Sequence, residues 1–146
     1  SDWGYFYYVD ANPEMSIQFK VWLSNYEHAP YRDVKPRLEV KRGGTLVATG
    51  RENMTYSLQP KWVRYEMDLI FPMEGTSGGA YFKAKDLLNT DGDYTLSLYL
   101  SDELYGTWPF SVRDGRLAPV GRANRGGAEP LTYIDGGRDA FWFKRQ

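Results

Sequence analysis

The chain contains no cysteine, and this absence excludes several kinds of chemistry at once. Disulfide bonds, thiol nucleophiles, iron–sulfur clusters and cysteine-ligated zinc all require cysteine side chains. Histidine is almost absent too, since the 146 residues include a single one, His28, in the loop-like stretch 26–30. Without a second histidine we expect neither a zinc site nor a catalytic triad, and we interpret His28 as a solvent-exposed loop residue. The sequence therefore predicts no metal site and no catalytic residue.

Other absences narrow the partners that we expect. The 18 basic and 19 acidic residues leave a net charge of −1, so the chain lacks the basic excess of a nucleic-acid-binding domain. No apolar run approaches the roughly 18 residues of a membrane-spanning helix. Nucleophile-elbow, P-loop and dinucleotide-binding motifs are also missing. We expect no nucleic-acid partner, no membrane span, no cofactor and no enzyme activity.

What the sequence does contain is period-two alternation of apolar and polar residues. The length suits one domain, and the alternation in five segments is typical of half-buried antiparallel strands. The segment 3–9 and a weaker one, 55–58, bring the total to seven or eight short strands. The alternation predicts an all-β antiparallel sandwich, although a closed barrel stays open as an alternative. The predicted core consists of Phe19, Val21, Val40, Tyr65, Met67, Leu69, Tyr94, Leu96, Leu98 and Phe110.

The segments between the predicted strands contain residues that favour turns. The paired glycines Gly43 and Gly44 predict a hairpin turn, because glycine accepts positive φ without strain. Further turns are predicted at 101–103 and at Asp114-Gly115. Residues 74–79 have the composition of a mobile turn, and 83–88 could form a helical turn or two. No long helix is predicted.

The stretch 87–96, Leu-Leu-Asn-Thr-Asp-Gly-Asp-Tyr-Thr-Leu, resembles the approach to the penultimate strand of immunoglobulin-like and fibronectin type III-like sandwiches. The resemblance continues to Trp108-Pro109-Phe110-Ser111-Val112, which is similar to the closing strand of many bacterial sandwich modules. It implies an immunoglobulin-like sandwich without the cysteine pair of antibody domains. It also implies that the hydroxyl of Tyr94 bonds back to upstream backbone as a tyrosine corner. A shared fold implies no particular activity.

The character of the chain changes after residue 115. Residues 113–146 hold seven basic and four acidic side chains, whereas 1–112 hold eleven and fifteen. We therefore expect residues 1–115 to form the sandwich and 116–146 to form an extension, a loop followed by a β-hairpin within 131–143, packed on it. A free tail would not contain the aromatic run Phe141, Trp142 and Phe143. The alternative is that the extension docks onto a partner or a second copy.

Aromatic residues are the compositional excess, with twelve Tyr and five Trp. Trp22 and Tyr99 are expected on the outer faces of their strands, and Trp142 on one face of a C-terminal strand. We take these three as candidate binding residues, because surface aromatic rings bind protein partners or stack on sugars. Trp22 and Tyr99 would belong to opposite sheets in an immunoglobulin-like arrangement and could not form one platform.

Two groups of acidic residues suggest chemistry that we weigh against simpler interpretations. Asn89, Asp91 and Asp93 are spaced two residues apart, as ligands are in a calcium-binding loop. The glycine and the last ligand of such a loop, however, do not fall at the required positions. A turn stabilised by Asx hydrogen bonds accounts for the same residues. Calcium binding stays open as an alternative there. Glu66 and Asp68 are interpreted as surface charges rather than as a glycosidase pair.

These observations favour a non-catalytic structural or protein-interaction module of an exported or cell-surface bacterial protein. Its partner would be another protein or a neighbouring domain of the same polypeptide. The alternative is a carbohydrate-binding module that uses surface aromatic residues. An extracytoplasmic location, periplasmic or cell-surface, is expected because sandwiches with this Gly-x-Tyr corner are frequent there.

Overall fold

The fold is built from short antiparallel strands. The structure, a computed structural model, describes residues 3–9, 14, 18–24, 30–51, 54–59, 64–69, 73–76, 81–117 and 138–144. Over these residues the chain forms twelve strands and one short helix. The strands are β1 (Trp3–Val9), β2 (Gln18–Ser24), β3 (Arg32–Val34), β4 (Pro36–Arg42), β5 (Thr45–Arg51), β6 (Tyr56–Leu58), β7 (Arg64–Leu69), β8 (Met73–Gly75), β9 (Gly92–Leu100), β10 (Glu103–Arg113), β11 (Arg116–Leu117) and β12 (Arg138–Lys144), and the helix is α1 (Ala84–Leu88). All of their pairings are antiparallel, which confirms the all-β prediction.

The larger sheet has six strands in the order β11-β10-β9-β4-β5-β8. Its hairpins turn where the sequence predicts turns. Gly43 and Gly44 join β4 to β5 with φ of 54° and 87°, the pair of positive values that a two-residue hairpin of the favoured twist requires. Ser101 and Asp102 join β9 to β10 in the same way, with φ of 50° and 69°. The predicted hairpin at 43–44 is therefore confirmed.

A second sheet has four strands in the order β12-β1-β2-β7, and β3 pairs with β6 as a small third sheet. Phe19 and Val21 of β2 are fully buried and belong to the same hydrophobic cluster as the large sheet. The members of this cluster that come from the large sheet include Leu38, Val40, Ala48, Tyr94, Leu96, Leu98, Leu100, Trp108, Phe110 and Val112. The two sheets therefore contribute to one core.

Most of the predicted core lies in that cluster. Phe19, Val21, Val40, Tyr94, Leu96, Leu98 and Phe110 are all buried, as the alternation predicts. Tyr65, Met67 and Leu69 lie in β7, where the structure describes the backbone, and their side chains lie outside the described part. His28 also lies outside the described residues. The alternation thus identified the core face correctly wherever side chains can be compared.

Helix α1 occupies the predicted helical stretch and is fixed at both ends. The Asp86 carboxylate accepts the backbone N–H of Lys83 at 3.0 Å, which satisfies one donor of the first turn. At the other end the hydroxyl of Tyr94 donates to the carbonyl oxygen of Thr90 at 2.5 Å and lies 3.5 Å from that of Leu87. This is the backbone contact that the resemblance to sandwich modules implies for Tyr94.

The structure contains more strands than the predicted seven or eight. The additional ones, β3, β8 and β11, are two or three residues long, and a segment so short cannot show a period of two. Residues 73–75, partly included in the predicted turn 74–79, form β8 and pair with β5. In the C-terminal segment, β12 pairs with β1, and residues 131–137 of the predicted hairpin lie outside the described residues.

Candidate functional site

Two of the three predicted binding residues lie in the four-stranded sheet. Trp22 of β2 stands opposite Trp3 of β1, and Trp142 of β12 stands opposite Tyr5, which is also in β1. Residues directly opposite each other, and residues two apart on one strand, share a face of a sheet. Trp3, Tyr5, Trp22 and Trp142 therefore occupy one face, which we call the aromatic face. Phe19 and Val21, which are buried, alternate with Trp22 and so belong to the other face.

Charged residues share the aromatic face with these four. Lys20 is two residues from Trp22 and stands opposite Asp68 of β7, while Glu66 stands opposite Trp22 itself. Both residues belong to β7, the strand that pairs with β2 on the side away from β1. The register thus places the aromatic residues in β12, β1 and β2, and the charged residues Glu66, Asp68 and Arg64 in the edge strand β7. This agrees with the interpretation of Glu66 and Asp68 as charges opposite the core face.

Tyr99, the third predicted binding residue, lies in β9 of the six-stranded sheet and is half-buried. The Arg37 guanidinium lies over its ring, 4.0 Å from the ring centre, and donates to Glu39 at 2.7 Å. Arg37 also pairs with Asp102 at 3.5 Å. One side of the Tyr99 ring is therefore occupied by a cation held by two carboxylates. Trp22 and Tyr99 are in different sheets, as the sequence interpretation expects.

The Asn89, Asp91 and Asp93 turn uses its oxygens within the protein. Asp91 accepts the backbone N–H groups of Asp114 and Gly115 at 2.8 and 3.2 Å, and these bonds lower the pKa of its carboxyl. Asp93 accepts the Ser111 hydroxyl at 2.8 Å and the Arg113 guanidinium at 2.7 Å, which lower its pKa as well. The arrangement joins the turn to the β10–β11 connection. A cation would have to compete with Arg113 for Asp93.

A cavity of about 470 Å³ lies between the start of β5 and helix α1. We call it the β5–α1 cavity. Its lining residues are Arg42, Thr45, Leu46, Val47, Gly75, Thr76, Tyr81, Phe82, Asp86, Asn89 and Thr90. Leu46 and Tyr81 are large apolar side chains left exposed there, Tyr81 to 62%. The sequence interpretation did not find this cavity, because its walls come from five separate segments.

Two properties of the described residues concern metal sites and membrane-spanning helices. In the part of the chain that the structure describes, no group of three or more His, Cys, Asp or Glu side chains could hold a metal ion. No helix among the described residues is long and apolar enough to cross a membrane.

No protein-family model matches the chain, and neither a curated protein nor a solved structure is significantly similar to it.

Proposed function

We propose that the chain is a non-catalytic interaction module with an immunoglobulin-like β-sandwich fold. Three observations support the fold. Phe19 and Val21 of the four-stranded sheet share a core with the six-stranded sheet. In the large sheet β4, β9 and β10 are neighbours, so that chain order and spatial order differ as they do in Greek-key sandwiches. The Tyr94 hydroxyl bonds to the backbone before β9, as in a tyrosine corner.

The interaction surface in this proposal is the aromatic face, and its partner is another protein or a neighbouring domain. The observation that carries the proposal is the register Trp3 opposite Trp22 and Tyr5 opposite Trp142, on the face away from the buried Phe19. Tryptophan and tyrosine are enriched at the centres of protein interfaces, and charged residues at their rims. The charged residues of the edge strand β7 beside the aromatic residues fit this division.

Site-specific photo-crosslinking in the source cell tests the proposal. A photoreactive phenylalanine analogue at position 22 or 142 is expected to give one adduct of defined mass, and Trp3→Ala is expected to remove it. The same analogue at position 31 is the control, because Tyr31 is 59% exposed and lies in another part of the fold. No adduct from positions 22 and 142, or the same adduct from position 31, would contradict the proposal.

A carbohydrate partner for the aromatic face is the second candidate. The register gives two aromatic pairs, Trp22 opposite Trp3 and Tyr5 opposite Trp142, on neighbouring strands about 4.8 Å apart, and aromatic residues grouped on one face of a sheet can stack against sugar rings. Titrating the intrinsic tryptophan fluorescence with soluble polysaccharides tests this candidate. Saturable quenching that Trp22→Ala abolishes would favour a sugar over a protein. An unchanged spectrum across the series would reject it.

The proposal includes a compartment, an extracytoplasmic location in a bacterium. It is supported by the association of such sandwiches with exported proteins and by a composition without cysteine, which needs no particular redox environment. Immunodetection after cell fractionation tests it. Signal in the periplasmic or surface fraction is expected, and signal confined to the cytosol would contradict it.

A further inference from the structure

We propose that the β5–α1 cavity is a second binding site, for a neutral sugar residue. This inference is independent of the aromatic face, because the cavity is formed by β4, β5, β8 and α1 rather than by the four-stranded sheet. Its volume of about 470 Å³ lies within the roughly 300–1,000 Å³ of small-molecule sites in proteins.

Hydrogen bonds within the protein hold the walls of the cavity in place without a ligand. Thr76 donates its backbone N–H to the carbonyl of Val47 at 3.1 Å, which closes the wall between β8 and β5. Asp86 is fixed by the N–H of Lys83 at 3.0 Å, and Thr90 by the Tyr94 hydroxyl at 2.5 Å. A site that is already ordered loses little entropy on binding, so modest contacts suffice for measurable affinity.

The surface of the cavity combines apolar and hydrogen-bonding groups, and a sugar has both kinds of surface. Tyr81 exposes 62% of its surface, and Leu46 and Val47 add apolar walls. An exposed aromatic ring can stack on the C–H face of a pyranose. Asn89 accepts the Thr90 hydroxyl at 2.9 Å through Oδ1, and its amide nitrogen has donors suited to a ligand hydroxyl.

Arg42 and Asp86 set the charge of the site. Among the described residues that line the cavity, Arg42 is the base and Asp86 is the acid, and their opposite charges cancel. The phenol of Tyr81 is the other ionisable group there. Arg42 forms no ion pair with any residue that the structure describes. Its aliphatic part lies against Gly92, where an added Cβ would come within 3.1 Å of Cδ. The Asp86 carboxylate disfavours phosphate or another polyanion by charge repulsion, whereas both planar groups can bond the hydroxyls of a neutral ligand.

Amide chemical-shift mapping on the intact chain tests the inference. The probes are glucose, galactose, mannose, N-acetylglucosamine and cellobiose, each raised to roughly 50 mM, where a site of millimolar Kd approaches saturation. We expect saturable shifts from at least one sugar, concentrated at residues 45–47, 76 and 89–90. Acetate and phosphate at the same concentrations serve as anionic probes and are expected to leave these amides unmoved.

Matched variants decide between the cavity and the rest of the surface. Tyr81→Ala is expected to weaken the sugar response roughly tenfold, and Asn89→Ala several-fold. Tyr31→Ala, with a tyrosine of similar exposure outside the cavity, and Trp22→Ala on the aromatic face are expected to leave it unchanged. No shift with any sugar, an undiminished response in Tyr81→Ala, or the same shifts with acetate would overturn the inference. Since Trp22 does not line the cavity, these outcomes leave the proposal for the aromatic face to its own test.

Discussion

Tyr94 joins the end of helix α1 to the six-stranded sheet. Its ring is 2% exposed and stacks on Phe110 with centres 5.3 Å apart, while its hydroxyl donates to the Thr90 carbonyl. The packed ring thus holds the hydroxyl against this carbonyl. One side chain thus contributes both to the core and to the loop that borders the β5–α1 cavity.

We expect Tyr94→Phe to lower the free energy of unfolding by about 1–2 kcal/mol, because the ring stays in place while a carbonyl near the core loses its donor. Urea denaturation followed by fluorescence measures the change. Tyr99→Phe is the control, since the structure records a ring contact with Arg37 for Tyr99. An equal loss in both variants would contradict the special role of Tyr94.

Asp91 makes stability depend on pH. The N–H groups of Asp114 and Gly115 stabilise its carboxylate, so its pKa in the folded protein is below the ordinary value of 3.8. A group whose pKa is lowered on folding adds stability above its unfolded pKa, and this contribution is lost as the pH falls through the folded pKa. The connection between β10 and β11 is therefore stabilised at neutral pH and weakened in strong acid.

Asp91→Asn is expected to lower the Tm at pH 7, because an amide has a single acceptor oxygen for the two N–H donors. The difference from the unmodified chain should shrink as the pH falls from 3.8 through the lower pKa of folded Asp91, because the carboxylate is then lost. Thermal melts across this range measure it. Asp114→Asn is the control, since Asp114 is exposed with φ of 54°, which asparagine tolerates. A Tm difference for Asp91→Asn that is constant with pH would refute the linkage.

At the scale of elements, the β4–β5 hairpin shows how a turn sets the register of two strands. Gly43 and Gly44 both have positive φ, and a Cβ added at either would meet nothing within 4 Å. Substitution there tests backbone conformation without a steric clash. Gly43 also donates its N–H to the Asp93 carbonyl at 3.1 Å, which ties the turn to β9.

Gly44→Ala is expected to cost about 1 kcal/mol, because φ of 87° is strained for a residue with a Cβ. Gly43→Asn should cost less, since asparagine accepts a left-handed conformation near 54°. Chemical denaturation of the two single variants compares the costs. If Gly44→Ala proved as stable as Gly43→Asn, the conformational explanation would fail.

How far the sequence predicts an element depends on the element's length. The nine residues of β9 alternate long enough to identify Leu96 and Leu98 as core, and their burial confirms this. The short strands β3, β8 and β11 are decided by their neighbours in space and were not predicted, whereas the three-residue β6 lies within the predicted segment 55–58. Ser97 is a residue whose burial the alternation does not predict. It lies between buried leucines on the outer face of β9, yet only 8% of its surface is exposed. Its hydroxyl pairs with that of Thr107 at 3.0 Å, a cross-strand contact that local alternation cannot predict.

The candidate sites follow the same rule. Aromatic composition was enough to single out Trp22 and Trp142, but their shared face depends on β1 lying between β2 and β12, which joins strands from the two ends of the chain. The β5–α1 cavity depends on segments from Arg42 to Thr90 meeting in space. Composition therefore indicated which residues could bind, and tertiary pairing decided where they meet.

At the scale of the whole molecule, the pairing of β1 with β12 has the greatest sequence separation among the described strand pairings. Strand β12 runs antiparallel to β1 over seven register positions, from Trp3 opposite Lys144 to Val9 opposite Arg138. Phe141 stands opposite Phe6, which stands opposite the buried Phe19, so Phe141 and Phe143 are on the core face. Trp142 is on the other face. The C-terminal strand thus supplies residues to both faces of the sheet.

Ending the chain at residue 137 tests whether this pairing stabilises the chain itself. The truncation leaves β1 without its β12 partner and removes two phenylalanines from the core face. Burial of two such side chains contributes on the order of 3 kcal/mol, so at about 2–4 °C per kcal/mol the Tm should fall by roughly 6 °C or more. Ending the chain at residue 144 is the control and should leave the Tm unchanged, since β12 stays intact. Sedimentation of both truncated chains separates the two roles considered for this segment. An unchanged Tm after truncation at 137, with loss of a dimer that the intact chain forms, would instead assign β12 to a contact between molecules.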